Sequence, residues 1–264
     1  METLRITKRI APSTDSPPAV ELRDVVKSFS RGSSVTRVVD HVDLTVATGE
    51  CVFLLGPSGS GKTTLLSIIG CVLTADSGMV RILGRDVRGL EPDEAALLRL
   101  RHIGFVFQRF HLIRGLNACE NVAVPLTLAG WDAADAADRA SELLARVEMR
   151  DKADEQPHRL SVGQCQRVAF ARALAADPDM ILADEPTASL DAKTGQQAIE
   201  LLREITVATG KTAIVVTHDP RILPFADRIL HMENGQLEER PAMDDVMMDV
   251  VSHPTEQLAA THTT

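Results

Sequence analysis

The chain has 264 residues, 44% hydrophobic and 25% charged, with a formal net charge of −9 and only 3% aromatic residues (seven Phe, one Trp, no Tyr). These values exclude a wholly disordered, collagen-like or disulfide-stapled chain, and the length is enough for one large domain or two small ones around an aliphatic core. The acidic balance opposes the phosphate backbone of duplex nucleic acid, so no nucleic-acid partner is expected, although local basic groups can still hold a small anion.

Cys51, Cys71, Cys119 and Cys165 form no CxxC pair and no metal-ligand spacing, and read as reduced thiols packed as small buried hydrophobes. The longest nearly apolar stretch, residues 65–73, is far short of the roughly 20 residues a bilayer-spanning helix needs. The first residues contain no apolar signal core.

In chain order, residues 1–18 are polar and basic, end in Ser16-Pro17-Pro18, and read as a flexible arm. Val42, Leu44 and Val46 alternate as in a half-buried strand. Cys51-Val-Phe-Leu-Leu55 is a short continuous apolar run, as in a strand covered on both faces. A helix begins near Lys62, and the stretch from about 93 to 177 reads as an α-helical insertion in an α/β body. It holds helices over 93–101 and 163–176, and a third started by Asp132 with Ala136, Ala140, Leu143, Leu144 and Val147 at helical spacing. Two more buried strands, Met180-Ile-Leu-Ala183 and Ala213-Ile-Val-Val216, end in Asp184 and in Thr217-His218, which points to a sheet with a ligand edge at its C-terminal side. Asp191 caps a long helix ended by Gly210, and Asn234-Gly235 signals a hairpin. The folded body spans 19–240. Residues 241–264 form a polar tail whose Val246, Met247, Met248, Val250 and Val251 read equally as two amphipathic turns or as a frayed end.

Three motifs carry chemistry. Gly56-Pro-Ser-Gly-Ser-Gly-Lys-Thr63 is a strict G-x-x-x-x-G-K-[ST] loop between a strand and a helix. Its glycines let backbone N–H groups turn inward around a phosphate, and the helix points its positive end at that phosphate. Lys62 sets a cation on the β and γ phosphates, and Thr63 offers a hydroxyl to Mg2+. Asp184 and Glu185 end an apolar strand and cannot lie unpaired in the core, so they belong at the sheet edge beside the loop. There Asp184 suits Mg2+ through water and Glu185 suits a general base for an attacking water. On its own the pair reads equally as an acidic strand end capping the next helix. Ser161-Val-Gly-Gln-Cys-Gln-Arg167 opens a helix whose N-terminus forms a second anion site, which a two-fold dimer could lend to the partner's nucleotide. Standing alone, Ser161 is an ordinary N-cap. Gln108, after the apolar Ile103–Phe107 run, could reach Mg2+ or the water, and His218 could touch the γ-phosphate. Singly, each is more often structural.

The order Gly56–Thr63, Gln108, Leu160–Gln164, Asp184–Glu185, Ser189-Leu-Asp191 and His218 resembles the nucleotide-binding subunit of ABC transporters over about residues 20–240. The resemblance implies an α/β fold, a P-loop NTPase of ABC type with a mixed sheet core, an antiparallel β subdomain and an α-helical insertion. It implies ATP and Mg2+. Phe29 would stack on adenine, and Gly56, Pro57, Ser58, Gly59, Ser60, Gly61, Lys62, Thr63 and Thr64 would hold the triphosphate. Thr63 and Gln108 would ligate Mg2+, Glu185 would activate water and His218 would contact the γ-phosphate. Ser161, Val162, Gly163 and Gln164 would close on the partner's ATP, and Asp191 would couple the two sites. The implied partners are a second copy of the chain in an ATP-sandwich homodimer and an integral membrane permease subunit. No direct contact with cargo is implied, and the place is cytoplasmic, peripheral on the inner face of the cell membrane.

Residues 103–113, 120–126 and 183–187 are similar to the lipoprotein-releasing and macrolide-exporting branch, whose members relay motion across the membrane. The chain departs from the family in three places. Val162 replaces the usual first Gly of the signature, and its β-branched side chain restricts the local backbone, so hydrolysis is expected to persist but to slow. Phe29 replaces Tyr, and Cys165 stands beside the implied interface where Gln is frequent. Phe110, Leu112 and Ile113 are either the permease contact or core of the insertion. Two other functions fit less of the sequence: an ATP-driven regulator of an envelope or cell-division complex without cargo, and a soluble ABC ATPase acting on ribosomes or DNA repair.

Overall fold

The structure is a computed structural model that describes residues 17–239 except Ser33 and Ser189. The tail 241–264 and nearly all of the arm 1–18 lie outside the described residues.

Two strands, β1 (Val20–Arg31) and β2 (Ser34–Val46), form a long antiparallel hairpin. The inner half of β2 buries Val42, Leu44 and Val46 and exposes the residues between them, as a period of two requires. Next, β3 (Cys51–Leu55), buried along its whole length, runs through a glycine-rich loop into α1 (Lys62–Ile69). Then β4 (Ser77–Ile82) and β5 (Arg85–Asp86) complete a four-stranded antiparallel sheet in the order β2-β1-β4-β5. A capping box between Glu91 and Glu94 starts α2 (Pro92–His102), which feeds β6 (Ile103–Phe107). Three helices follow: α3 (Ala118–Leu128), α4 (Ala133–Arg146) and α5 (Val162–Leu174). Asp132 caps α4, whose Ala136, Ala140, Leu143 and Leu144 form its buried stripe. The chain then alternates β7 (Met180–Asp184), α6 (Ala192–Thr209), β8 (Thr212–Val216), β9 (Arg228–Glu233) and β10 (Gln236–Glu239). Asn234 and Gly235 take left-handed φ of 49° and 84° in the two-residue turn between the last strands.

The second sheet has the order β10-β9-β3-β8-β7-β6, all parallel except β10. Its central strands are continuously apolar because each face covers a different core. Phe53, Ile181, Ala183 and Val215 point to the core shared with α3, α4 and α5. Val52, Leu54, Leu182 and Ile214 point to the core shared with α1 and the antiparallel sheet.

One expectation is corrected. The stretch 93–177 is not a continuous helical insertion, because β6 lies within it and pairs with β7 as an edge strand of the main sheet. A five-residue apolar run with four β-branched or aromatic residues among Ile103–Phe107 is strand length, and the helical part proper begins after it. Among the described residues no helix is long and apolar enough to cross a membrane.

The helical layer meets the sheet at Gly104, where a Cβ would stand 2.2 Å from the Ala173 carbonyl oxygen and 3.1 Å from Pro178 Cγ. Gly104→Val is therefore expected to lower stability by about 1–3 kcal/mol, as overpacking does. Urea unfolding checks this, and an unchanged midpoint would mean that α5 and β6 are not in such close contact.

Candidate active site

Parallel strands deliver their C-terminal ends to one edge of the sheet, and the polar residues there line a single cleft of about 500 Å³. Its walls are Gly56, Ser58, Gly59, Gly61, Lys62, Thr63, Thr64, Gln108, Asp184, Glu185 and His218, with Val38 and Val216. The structure thus brings together the loop after β3, the residue after β6, the end of β7 and the second residue after β8.

The loop conformation requires its glycines. Gly56 and Gly61 have φ of 145° and 108°, and a Cβ on them would stand 2.0 Å from the Met232 carbonyl oxygen and 2.2 Å from that of Val38. Backbone from β9 and β2 therefore grips the loop from outside. Gly61 is also the N-cap of α1, with no side-chain cap, so the first N–H groups of that helix face the cleft unsatisfied by any cap side chain. Lys62 is buried and donates from Nζ to the carbonyls of Gly56 and Pro57, both at 2.8 Å. Burial pulls its ammonium below the ordinary lysine range, and the carboxylates of Glu185 and Asp184 oppose that shift.

The carboxylates stand opposite. Thr63 Oγ1 donates to Asp184, 3.2 Å from Oδ1 and 3.1 Å from Oδ2. Burial foremost pushes the Asp184 carboxyl up, Glu185 adds to the shift, and Thr63 and Lys62 oppose it. Glu185 takes a left-handed φ of 49° and donates its N–H to the Val216 carbonyl at 2.9 Å. Such a backbone is uncommon outside glycine and clusters at functional sites. It turns the carboxylate off the strand so that Oε1 meets His218 Nδ1 at 2.8 Å, while Oε2 is buried with no hydrogen-bond partner. The side-chain oxygens of Thr63, Gln108 and Asp184, with the half-buried Asp184 carboxyl raised by desolvation, fit a hard divalent cation such as Mg2+.

Other expected site residues lie elsewhere. Pro57 contributes its carbonyl to Lys62, and Ser60 is buried with an unpartnered hydroxyl, so neither lines the cleft. Phe29 stands further out on the β1–β2 hairpin, opposite Thr36, with Lys27 Nζ 5.6 Å from its ring centre. Ser161 caps α5 in a reciprocal box with Gln164: its hydroxyl accepts from the Gln164 N–H at 3.3 Å, and Gln164 Oε1 accepts the Ser161 N–H at 2.8 Å. None of residues 161–164 lines the cleft of their own chain. Gly163 packs against α6, where a Cβ would stand 2.7 Å from Thr194 Cγ2. Asp191 holds Thr194 by its N–H at 3.1 Å and its hydroxyl at 2.7 Å.

The structure also places the remaining residues that the sequence singled out. Val162 is the first residue of α5, is 48% exposed and has no left-handed φ, so its position is one a β-branched residue adopts without backbone strain. Cys165 faces inward, 3.5 Å from the Pro157 carbonyl, and burial pushes its thiol up. Leu112 packs against the helical core, whereas Ile113 is exposed. Cys51 and Cys165 are buried as expected, but Cys71 and Cys119 are only half-buried.

Sequence reasoning missed Val38, an ordinary strand valine that borders the cleft. It also missed Asn121, fully buried on α3, whose carboxamide accepts from the Ile113 N–H and donates to the carbonyls of Ile113, Leu116 and Asn117. A lone polar residue in the apolar stretch 121–126 was the available signal.

The ABC transporter family model matches residues 39–188. The chain is 40% identical over 227 residues to the macrolide export ATP-binding/permease protein MacB of Psychrobacter cryohalolentis, covering 86% of this chain and 34% of that protein. It is 44% identical over 220 residues to MacB of Burkholderia thailandensis, covering 83% of this chain and 34% of that protein. The chain therefore spans about a third of the length of these curated relatives. The fold is similar to the ATP-binding cassette MJ0796, solved as a dimer in a post-hydrolysis state bound to ADP and Pi. That match has a TM-score of 0.79 and 41% identity, and covers 84% of this chain and 99% of that one.

Gly61→Ala is expected to weaken nucleoside triphosphate binding by about tenfold or more, through left-handed strain plus the collision with Val38. Gly59→Ala, with φ of 82° but open space around its Cβ, should lose less. Equilibrium binding of a fluorescent nucleotide gives the order, and equal losses would contradict the grip on the loop.

Proposed function

The chain belongs to the ABC transporter family, and from that premise we propose that it binds and hydrolyses ATP and drives a membrane permease. The unit that does so spans about residues 19–240, with its helical part carried by α3, α4 and α5. The observation that carries the reading is the single cleft in which the loop amides, Lys62, Asp184, Glu185, His218 and Gln108 meet.

Residues 56–64 hold the triphosphate. Lys62 leaves the loop carbonyls and places its ammonium on the β and γ phosphates, a move its three donors and flexible stem allow. Thr63, Gln108 and Asp184 hold Mg2+, which when bound neutralises charge on the phosphate oxygens. Glu185 Oε2 accepts a proton from the attacking water, while His218 keeps Oε1 oriented and faces the γ-phosphate. Phe29 stacks on the adenine from the hairpin. Ser161–Gln164 face outward from this cleft, so they serve the nucleotide of a second copy, and Asp191 joins the two through Thr194. ATP favours the closed pair because both copies contact it only there.

The permease contact follows from an apolar groove of about 600 Å³ beside Gln108, lined by Val72, Leu97, Phe105, Phe107, Pro125 and Leu128 among others. Leu97 and Leu128 are 50% and 69% exposed, more than a core residue should be. A permease segment seated there places the chain on the inner face of the cell membrane. The MacB likeness supports an exporter or a device that relays motion across the bilayer.

Glu185→Gln is expected to lower kcat for ATP by about a hundredfold or more with ATP affinity within a few fold, because it removes the base and keeps the shape. Steady-state phosphate release and nucleotide binding check this, and a wild-type rate would remove Glu185 from that role. Leu128→Asp should abolish co-purification with the permease while the isolated chain hydrolyses ATP as before. Retained co-purification would mean that the contact lies elsewhere.

A further inference from the structure

Gln108 begins a loop that turns back sharply before α3. Phe110 and His111 within it have φ of 58° and 49°, two successive non-glycine residues in the left-handed region. That conformation is disfavoured for L-residues and for bulky side chains above all, so a consecutive pair needs outside support. The support is visible. Arg172, near the C-terminal end of α5, donates from Nη2 to the Phe110 carbonyl and from Nη1 to the His111 carbonyl, both at 2.6 Å. The His111 ring lies 4.8 Å from that of Phe107, the residue before Gln108. Arg172 and His111 also line the apolar groove. Asn121 pins the next stretch, 113–117, to α3.

We propose that Arg172 is a positioning residue for hydrolysis: its planar fork holds Phe110 and His111 in the left-handed turn, and so fixes where Gln108 stands relative to α5, whose other end carries Ser161–Gln164. The consequence for catalysis rests on the proposed ATPase reading; the latch on the turn does not. Two carbonyls diverging from one tight turn suit a guanidinium, whose donors lie in one rigid plane, and not a single ammonium. Through this contact a displacement of α5 or of the groove wall reaches the Gln108 loop directly. No contact with ATP is required of Arg172, so its effect falls on the rate and spares affinity.

The test uses the full chain in two measurements. In the nucleotide-free protein, amide exchange at Phe110, whose N–H donates to the Phe107 carbonyl at 3.0 Å, should speed up about tenfold or more in Arg172→Ala. Unchanged exchange overturns the latch whether or not the chain hydrolyses ATP. With MgATP, Arg172→Ala should lower kcat about tenfold and leave KM within about twofold, and Phe110→Gly with His111→Gly in the same chain should restore most of the rate, because glycine takes the turn without help. A rate that stays low after the glycine changes, or a loss confined to KM, overturns the positioning role. If Arg172→Ala does not fold, Arg172→Lys carries the same two measurements. A wild-type chain inactive with ATP defeats the ATPase reading, and the exchange result still decides the latch.

Discussion

Two carboxylates at the mouth of a buried strand set the terms for the rest of the molecule. Asp184 ends a strand that is apolar on both faces, and Glu185 follows it in a left-handed conformation that holds it at the same edge. Ionised groups so placed are costly unless a cation and donors face them. The protein supplies Lys62 across the cleft, the Thr63 hydroxyl on Asp184 and His218 on Glu185. One Glu185 oxygen is still left without a partner, and Lys62 rests on loop carbonyls. A polyphosphate with its divalent cation answers each of these demands at once, taking the ammonium and the loop amides and giving the carboxylates a positive charge to face.

The same geometry supports the proposal that a second copy completes the site. The helix N-terminus at Ser161 satisfies itself through Gln164 and lies outside the cleft of its own chain. Its Val162 side chain is directed to solvent. On the proposed reading, a helix N-terminus that its own cleft does not use serves the nucleotide of the other copy in a symmetric pair. The α5 helix then joins Ser161–Gln164 at its start to two places at its other end, the sheet at Gly104 and the Gln108 loop.

Much of this was legible in the residues. The parallel strands announced themselves as apolar runs ending in polar groups, and the glycine-rich loop named its own chemistry, because φ values of 108° and 145° admit little else. Asp132, Ser161 and Asn234-Gly235 marked boundaries that the backbone obeys. What stayed hidden depended on contacts between distant segments. Five residues of strand, Ile103–Phe107, were absorbed into a helical region because a short apolar run has no period long enough to distinguish strand from helix. Cys71 and Cys119 read as buried with the other cysteines, whereas the packing of their elements leaves both only half-buried. The backbone at Val162 is ordinary helix, which the residue type alone does not report. Nothing in the sequence around Arg172 reports that its partners are carbonyls some 60 residues away.

The central claim is that each active site is built from two copies of the chain, and a mixing experiment tests it most directly. A Lys62→Ala chain and a Ser161→Arg chain should each be inactive with ATP. When they are combined, mixed dimers contain one site with an intact phosphate loop facing an intact Ser161, and the account predicts that hydrolysis returns. Mixtures that form dimers yet stay as inactive as their parents would contradict it.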